Sequence, residues 1–136
     1  MNKIMGIDYG DARIGVAFSD WLHVIANAYE VYHRQDMDTD MTHFADLIKE
    51  NSVNHIVIGL PLNMRGEEQE IASKTRAFAT ALKKKFNLPI TFIDERLTSS
   101  EAEDMLKSAG YGWQERKQML DAVSAQIILQ TYLDRL

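Results

Sequence analysis

Apolar residues in the first quarter of the chain follow the short-period pattern of β-strands. Residues 2–8 (NKIMGID) and 14–20 (IGVAFSD) each contain a compact apolar run, and residues 26–33 alternate loosely between apolar and polar positions. Only residues 9–13 separate the first two runs, and this short link contains the Gly and Asp that are typical of a tight hairpin turn. The pattern predicts a three-stranded antiparallel meander.

The rest of the chain alternates between helical periodicity and short apolar runs. Apolar residues recur at helical spacing across residues 38–50 and 67–86, and again from residue 115 or 117 to the end. Between these segments lie HIVIGL at 55–60 and ITFID at 90–94, which are typical of strands buried on both faces.

One further helix is marked by its capping residues. Thr98 and Glu101 have the spacing of a capping box, and Gly110 lies where a helix C-terminal glycine is expected. The predicted order is three strands, helix, strand, helix, strand and two helices. It predicts an α/β fold in which the antiparallel meander is continued by two α-connected parallel strands, giving a mixed five-stranded sheet with helices on its faces. This is the RNase H-like architecture.

Composition narrows the class of protein. The chain has 136 residues, 46% of them hydrophobic and 26% charged, which fits one globular domain over residues 1–136. No apolar run approaches the roughly 20 residues that span a bilayer, and the early Asp leaves no room for a signal-peptide core, so we expect a cytoplasmic protein. The absence of Cys excludes disulfides and thiolate metal sites.

The net charge of −5 neither requires nor excludes a nucleic-acid substrate. Residues 65–136 hold 11 of the 15 Lys and Arg residues. Any basic contact surface is therefore expected mainly in the second half of the chain.

Three carboxylates occupy positions where a bare charge is unusual. Asp8 ends an apolar strand. Glu95 follows Asp94 at the carboxyl end of a buried strand, which is where ligands bind in open α/β sheets. Asp121 borders the apolar stripe of the last helix, among small residues that let this helix turn approach the sheet closely.

Each carboxylate also has a structural explanation. Asp8 suits a turn in which its side chain accepts backbone N–H bonds. Either Asp94 or Glu95 can pair with Arg96 while the other helps to start the next helix. Taken alone, Asp121 is best explained as a solvated residue at the helix edge.

Convergence of three carboxylates would favour a hard divalent cation, because the ionised groups otherwise repel one another. Mg²⁺ and Mn²⁺ prefer such oxygen ligands. Two ions about 3.5–4 Å apart can activate a water and stabilise the leaving oxygen of a phosphodiester. We therefore expect two Mg²⁺ or Mn²⁺ ions, with Asp8, Glu95 and Asp121 as metal ligands and catalytic residues.

Several segments of the chain resemble a known family. They are IMGIDYG at 4–10, RIGVAFSD at 13–20, GLPLN at 59–63, DERLT at 94–98 and LDAVSAQIILQTYLD at 120–134. In this order they resemble the motifs of the YqgF family, the bacterial Holliday-junction-resolvase-like proteins that are also described as pre-16S ribosomal RNA nucleases. The resemblance covers essentially the whole chain.

The resemblance implies an RNase H-like fold and a metal-dependent nuclease of the resolvase superfamily. It implies that Asp8, Glu95 and Asp121 form the acidic cluster. It also implies that the substrate is structured RNA, with a role in trimming the 5′ end of pre-16S ribosomal RNA. Resolution of branched DNA, the Holliday junction, is the alternative.

Five polar residues are candidates for substrate binding. Arg13 and Arg96 flank the predicted carboxylates, Asn63 lies in the loop after a central strand, and Arg116 and Lys117 lie about a turn before Asp121 on the last helix. For Arg13 and Arg96, pairing with carboxylates is the competing role. Simple solvation is the competing role for Arg116 and Lys117.

Two functions of other classes remain open. A non-catalytic RNA-binding module would keep the fold without cleavage. The segment Asp8-Tyr9-Gly10 with Gly15 is also similar to the first phosphate loop of actin-like nucleotide-binding proteins. Those proteins need two such domains around the nucleotide, and this chain supplies one.

Overall fold

The computed structural model describes residues 1–96 and 98–136. Within these residues it contains five strands and four helices. In chain order they are β1 (Lys3–Tyr9), β2 (Arg13–Ser19), β3 (Ala26–His33), α1 (Met37–Glu50), β4 (Val53–Leu60), α2 (Glu70–Phe86), β5 (Ile90–Asp94), α3 (Thr98–Ser108) and α4 (Trp113–Leu133). None of the described helices has the length and apolar character needed to cross a bilayer.

The strands form one mixed sheet in the order β3-β2-β1-β4-β5. The first three strands pair antiparallel, and Asp8 on β1 lies opposite Gly15 on β2. β4 pairs parallel with both β1 and β5. The predicted meander, its parallel continuation and the α/β fold class are therefore confirmed. The carboxyl ends of β1, β4 and β5 meet at the same edge of the sheet.

Both faces of the sheet are covered, which explains why β1 and β4 are nearly continuous apolar runs. One face packs against α1 and α2 and buries Met5 and Ile58 together with Phe44 and Phe78. The opposite face packs against α4. The residues of this second cluster are Ile4, Ala17, Ala26, Val57, Ile93, Ala125, Ile128, Leu129 and Leu133. α3 packs on α4 through Ala102, Leu106 and Val123.

Two helices begin at residues other than those predicted from the sequence. α2 begins at Glu70 rather than at residue 67, because Leu62 and Glu68 form an isolated antiparallel bridge that keeps the preceding loop extended. α4 begins earlier than predicted, at Trp113 after Gly112.

The capping predictions for α3 have different outcomes. The Thr98 side chain of the predicted capping box lies outside the described residues. At the other end of α3, Gly110 has a φ of 87°. This positive φ fits the predicted C-terminal glycine, because L side chains rarely adopt it.

Candidate active site

The carboxyl ends of β1 and β5 bring two of the predicted carboxylates into contact. Asp8 is the penultimate residue of β1, and Glu95 directly follows β5. The backbone N–H of Glu95 donates to the carbonyl oxygen of Leu60 at the end of β4, 3.3 Å away. This bond holds Glu95 beside the central strands, and the Asp8 and Glu95 side chains are hydrogen-bonded to each other.

The electrostatics of this pair favour retention of a proton. Burial raises the pKa of Asp8 well above its usual range, and the charges of Glu95 and Asp121 raise it further. Burial also raises the pKa of Glu95, to about 7, although the hydrogen bond from Asp8 acts in the opposite direction. A hydrogen bond between two carboxyl groups requires one proton, and the raised pKa values of Asp8 and Glu95 favour its retention. The cluster has more negative charge than its surroundings compensate.

Asp121 reaches the same region from α4 and has a cationic partner. Its Oδ2 accepts a hydrogen bond from Nε of Arg13 at 2.8 Å. The Arg13 side chain is 49% exposed and that of Asp121 is 25% exposed. The sequence left a carboxylate or the substrate open as the partner of Arg13, and the structure pairs it with the carboxylate of Asp121, 108 positions away.

Asp121 can occupy this position because α4 lies directly on glycine backbone. A methyl group at Gly15 would lie 1.9 Å from the carbonyl oxygen of Asp121, and one at Gly6 would lie 2.7 Å from Cβ of Leu129. A methyl at Gly59 would lie 2.4 Å from Oε2 of Glu95. These separations are far below an ordinary contact of about 3.5 Å between carbon atoms. We call Gly6, Gly15 and Gly59 the glycine track.

The glycine track is part of the site that sequence reasoning missed. Its three glycines lie on β1, β2 and β4, and a Cβ added at any of them would meet atoms of α4. Glycine inside an apolar strand often marks a close approach of another backbone. That signal was available in the sequence, and it locates the helix that carries Asp121.

The donor set suits a hard divalent cation. Asp8, Glu95 and Asp121 supply only carboxylate oxygens, which Mg²⁺ and Mn²⁺ prefer. Across residues 1–96 and 98–136, no three Asp, Glu or His side chains stand close enough together to enclose an ion. The guanidinium of Arg13 lies against Asp121 and supplies one positive charge at this site. Compensation by a cation is therefore chemically consistent with these residues.

The structure places Arg96 and Asn63 near the same edge of the sheet. Arg96 donates to Asp94 through its backbone N–H at 3.0 Å and through Nε at 2.8 Å. Its guanidinium also lies beside Gly66, in the loop that follows β4. Oδ1 of Asn63 accepts the backbone N–H groups of Arg65 and Glu67, so this side chain shapes that loop.

The two substrate-binding candidates on α4, Arg116 and Lys117, contact residues on or near α3 and α4. Arg116 donates from Nε to Glu103 on α3 at 2.7 Å and from Nη1 to the carbonyl oxygen of Tyr111 at 3.1 Å. Nζ of Lys117 lies 5.5 Å from the ring centroid of Trp113, within the range of a cation–π contact. Arg116 therefore joins α3 to α4.

Comparison with known proteins finds relatives over nearly the whole chain. A family model described as RuvX, Holliday junction resolvase, matches residues 2–135. A protein of Syntrophomonas wolfei named "Putative pre-16S rRNA nuclease" is 41% identical over 132 residues, covering 97% of this chain and 94% of its own. A protein of Desulforamulus reducens with the same name is 43% identical over 132 residues, covering 97% and 96%.

Solved structures share the fold at low sequence identity. RuvC of T. thermophilus in complex with a Holliday junction substrate has a TM-score of 0.62 and 11% identity, covering 99% of this chain and 96% of its own. The fowlpox virus Holliday junction resolvase has a TM-score of 0.57 and 14% identity, covering 98% and 99%. These neighbours establish the RNase H-like resolvase fold.

Proposed function

The chain belongs to the RuvX family of Holliday junction resolvases, and from this premise we propose that it is a divalent-metal-dependent nuclease acting on RNA. The observation that carries the proposal is the buried contact between Asp8 and Glu95, with the charge of Asp121 close enough to raise the pKa of Asp8. Carboxylates held against one another in this way are suited to binding cations. Residues 1–136 would act as one nuclease domain.

Asp8, Glu95 and Asp121 are the proposed ligands for two Mg²⁺ or Mn²⁺ ions. When bound, such ions supply an activated water and charge stabilisation at the phosphodiester. Asp8 and Glu95 would hold such ions as carboxylates, so protonation of the pair would compete with metal binding. The pKa of Glu95, which burial raises to about 7, brings this competition close to neutral pH.

Arg13 is the first proposed contact for the substrate. Its partner Asp121 is also a proposed ligand, and a cation held there would compete with the guanidinium for that carboxylate. The half-exposed Arg13 side chain can donate two parallel hydrogen bonds to two oxygens of a phosphate. Arg96, Asn63, Arg116 and Lys117 are proposed to contact the flanking nucleic acid.

The proposed substrate is the 5′ region of pre-16S ribosomal RNA, which would place the protein in the cytoplasm. The names of relatives with more than 40% identity support this choice. Cleavage of a branched DNA junction is the second candidate, supported by the family description and by the shared fold of RuvC. The same carboxylates would serve either phosphodiester.

A cleavage assay on both substrates tests the proposal. The protein is incubated with a pre-16S 5′ leader RNA or a four-way DNA junction, with Mn²⁺ or with EDTA. We expect Mn²⁺-dependent RNA cleavage that falls at least about 100-fold in Asp8→Asn and Asp121→Asn, the scale of losing an electrostatic contributor to the transition state. Asp46→Asn makes the same chemical change at an exposed position on α1 and should cleave normally.

The outcomes separate the hypotheses. Full activity in both site variants would refute the proposed ligands. Preference for the junction over RNA would favour the second candidate. RNA binding without cleavage under any divalent ion would indicate a non-catalytic module.

A further inference from the structure

Arg34, the residue that follows β3, donates hydrogen bonds to the turn between β1 and β2. The backbone N–H of Arg34 donates to the carbonyl oxygen of Ala12 at 2.9 Å. Its Nη1 donates to Oη of Tyr9 at 2.7 Å and approaches the carbonyl oxygen of Gly10 at 3.5 Å. Arg34 therefore contacts three of the four residues that lead directly away from Asp8.

The guanidinium of Arg34 is itself fixed by a buried carboxylate. The Asp40 side chain is completely buried and accepts from Nε of Arg34 at 3.2 Å, from Oη of Tyr32 at 2.7 Å and from the backbone N–H of Gln35 at 2.9 Å. The Arg34 side chain is only 14% exposed. Because the bonds of this network are satisfied, it holds one geometry firmly.

Aromatic packing fixes the same guanidinium from another direction. Cζ of Arg34 lies 5.0 Å from the ring centroid of Tyr9 and 5.6 Å from that of Phe78 on α2. The two rings are in contact, with their centroids 5.1 Å apart. Hydrogen bonds and packing thus combine to hold the side chain of Tyr9, the residue after Asp8.

This fixed turn separates two members of the acidic site. Asp8 precedes it, and Arg13, the partner of Asp121, ends it. A small change in the turn would move Asp8 relative to Arg13 and hence relative to Asp121. A buried ion pair contributes little net stability compared with apolar packing, so its clearest contribution here is a defined geometry.

We propose that Arg34 is a positioning residue for the acidic site, acting through Tyr9 and the turn to set Asp8 relative to Arg13 and Asp121. The inference deepens the proposed function, since it takes those residues to be the active site. Arg34 lies on the α1 and α2 side of the sheet, opposite α4, and it acts without contacting substrate.

Tyr9→Phe is the first test, with Tyr32→Phe as its matched control. Tyr9→Phe keeps the ring that packs against Arg34 and Phe78 but removes the oxygen that accepts from Arg34. Tyr32→Phe removes one hydroxyl from the same network, at Asp40, and leaves the turn contacts in place. We expect kcat for RNA cleavage to fall about 10-fold in Tyr9→Phe, with KM within twofold, and to be unchanged in Tyr32→Phe.

Arg34→Lys adds a test of geometry at constant charge. One ammonium cannot span Asp40, Tyr9 and Gly10 as the forked guanidinium does, so lysine should not restore kcat. Activities are compared at a temperature where circular dichroism shows every variant to be folded. A kcat loss in Tyr32→Phe equal to that in Tyr9→Phe would show a general stability effect and overturn the proposal, as would an unchanged kcat in Tyr9→Phe.

Amide hydrogen exchange provides a readout that needs no cleavage. The amides of residues 10–13 should exchange at least several-fold faster in Tyr9→Phe and Arg34→Lys than in the wild type, and at the wild-type rate in Tyr32→Phe. Unchanged exchange rates in all three variants would overturn the proposal that Arg34 stabilises the turn. If the wild type cleaves no nucleic acid, the proposed function fails, and the exchange rates still decide whether Arg34 holds the turn.

Discussion

Substitution of Gly15 by alanine should displace the helix that carries Asp121. The new methyl group would lie 1.9 Å from the carbonyl oxygen of Asp121 and 2.9 Å from the backbone nitrogen of Ala122. An ordinary contact is about 3.5 Å, so β2 and α4 must separate locally by about 1.5 Å. Rotation of a side chain cannot relieve the clash, because the opposing atoms belong to the helix backbone.

The displacement should affect both stability and activity. Overpacking of this kind typically costs about 1–3 kcal/mol of unfolding free energy. A shift of about 1 Å in a catalytic group can reduce activity by about 100-fold. Because Gly15 lies opposite Asp8 in the sheet, the same shift also moves Asp121 away from the Asp8–Glu95 pair.

Urea denaturation and the Mn²⁺-dependent RNA cleavage assay measure the two effects. Gly112→Ala is the matched control. It makes the same change at the N-cap of α4, where the added methyl would lie 3.6 Å from Oε1 of Glu115, an ordinary contact distance. It should cost at most about 1 kcal/mol through the weaker cap and retain activity. If Gly15→Ala matched the wild type in both measurements, the argument that the glycine track sets the position of Asp121 would be refuted.

Three further substitutions test separate parts of the structure. Gly59→Ala should reduce cleavage strongly and cost less urea stability than Gly15→Ala, because its methyl meets side-chain atoms of Glu95 and Ile128 rather than backbone. Asp40→Asn should lower the unfolding free energy by about 3 kcal/mol at pH 7. Burial acts to raise the pKa of Asp40, but hydrogen bonds from Gln35 and other donors lower it overall. The ionised form of Asp40 therefore stabilises the fold above about pH 4. Urea titrations should show that the difference in unfolding free energy between wild type and Asp40→Asn shrinks as the pH falls through this lowered pKa. Ser19→Ala removes the buried acceptor of the Ile4 N–H at 2.8 Å and should cost about 1–3 kcal/mol by urea denaturation, with cleavage unchanged.

The fold was largely predictable because both faces of the sheet are covered. Burial on two sides makes β1 and β4 nearly continuous apolar runs, and the short link between β1 and β2 indicates a hairpin. Helix starts were less predictable. The start of α2 depends on the pairing of Leu62 with Glu68, a tertiary contact that periodicity does not report.

The candidate site was predictable only where a single segment carries the signal. Asp8 and Glu95 each lie at the carboxyl end of a strand, and the sheet order brings two such ends together. The pairing of Arg13 with Asp121 joins the second strand to the last helix, so no local pattern indicates it. The Arg34–Asp40 pair was missed for a related reason: Arg34 follows a strand and Asp40 lies in the first turn of a helix, where charged residues are ordinarily solvated.

The solvent exposure of the arginine side chains indicates which of them are available to bind a phosphate. Arg34 is 14% exposed and its partner Asp40 is fully buried, so a phosphate cannot replace that carboxylate without leaving a buried charge alone. The ion pairs of Arg13 and Arg96 are exposed by 49% and 38% on the arginine side, and solvent-exposed pairs are weak. Arg116 is intermediate at 17% and also holds a backbone carbonyl. Of these four arginines, a polyanion should therefore recruit Arg13 and Arg96 first, and both of them lie beside the proposed metal ligands.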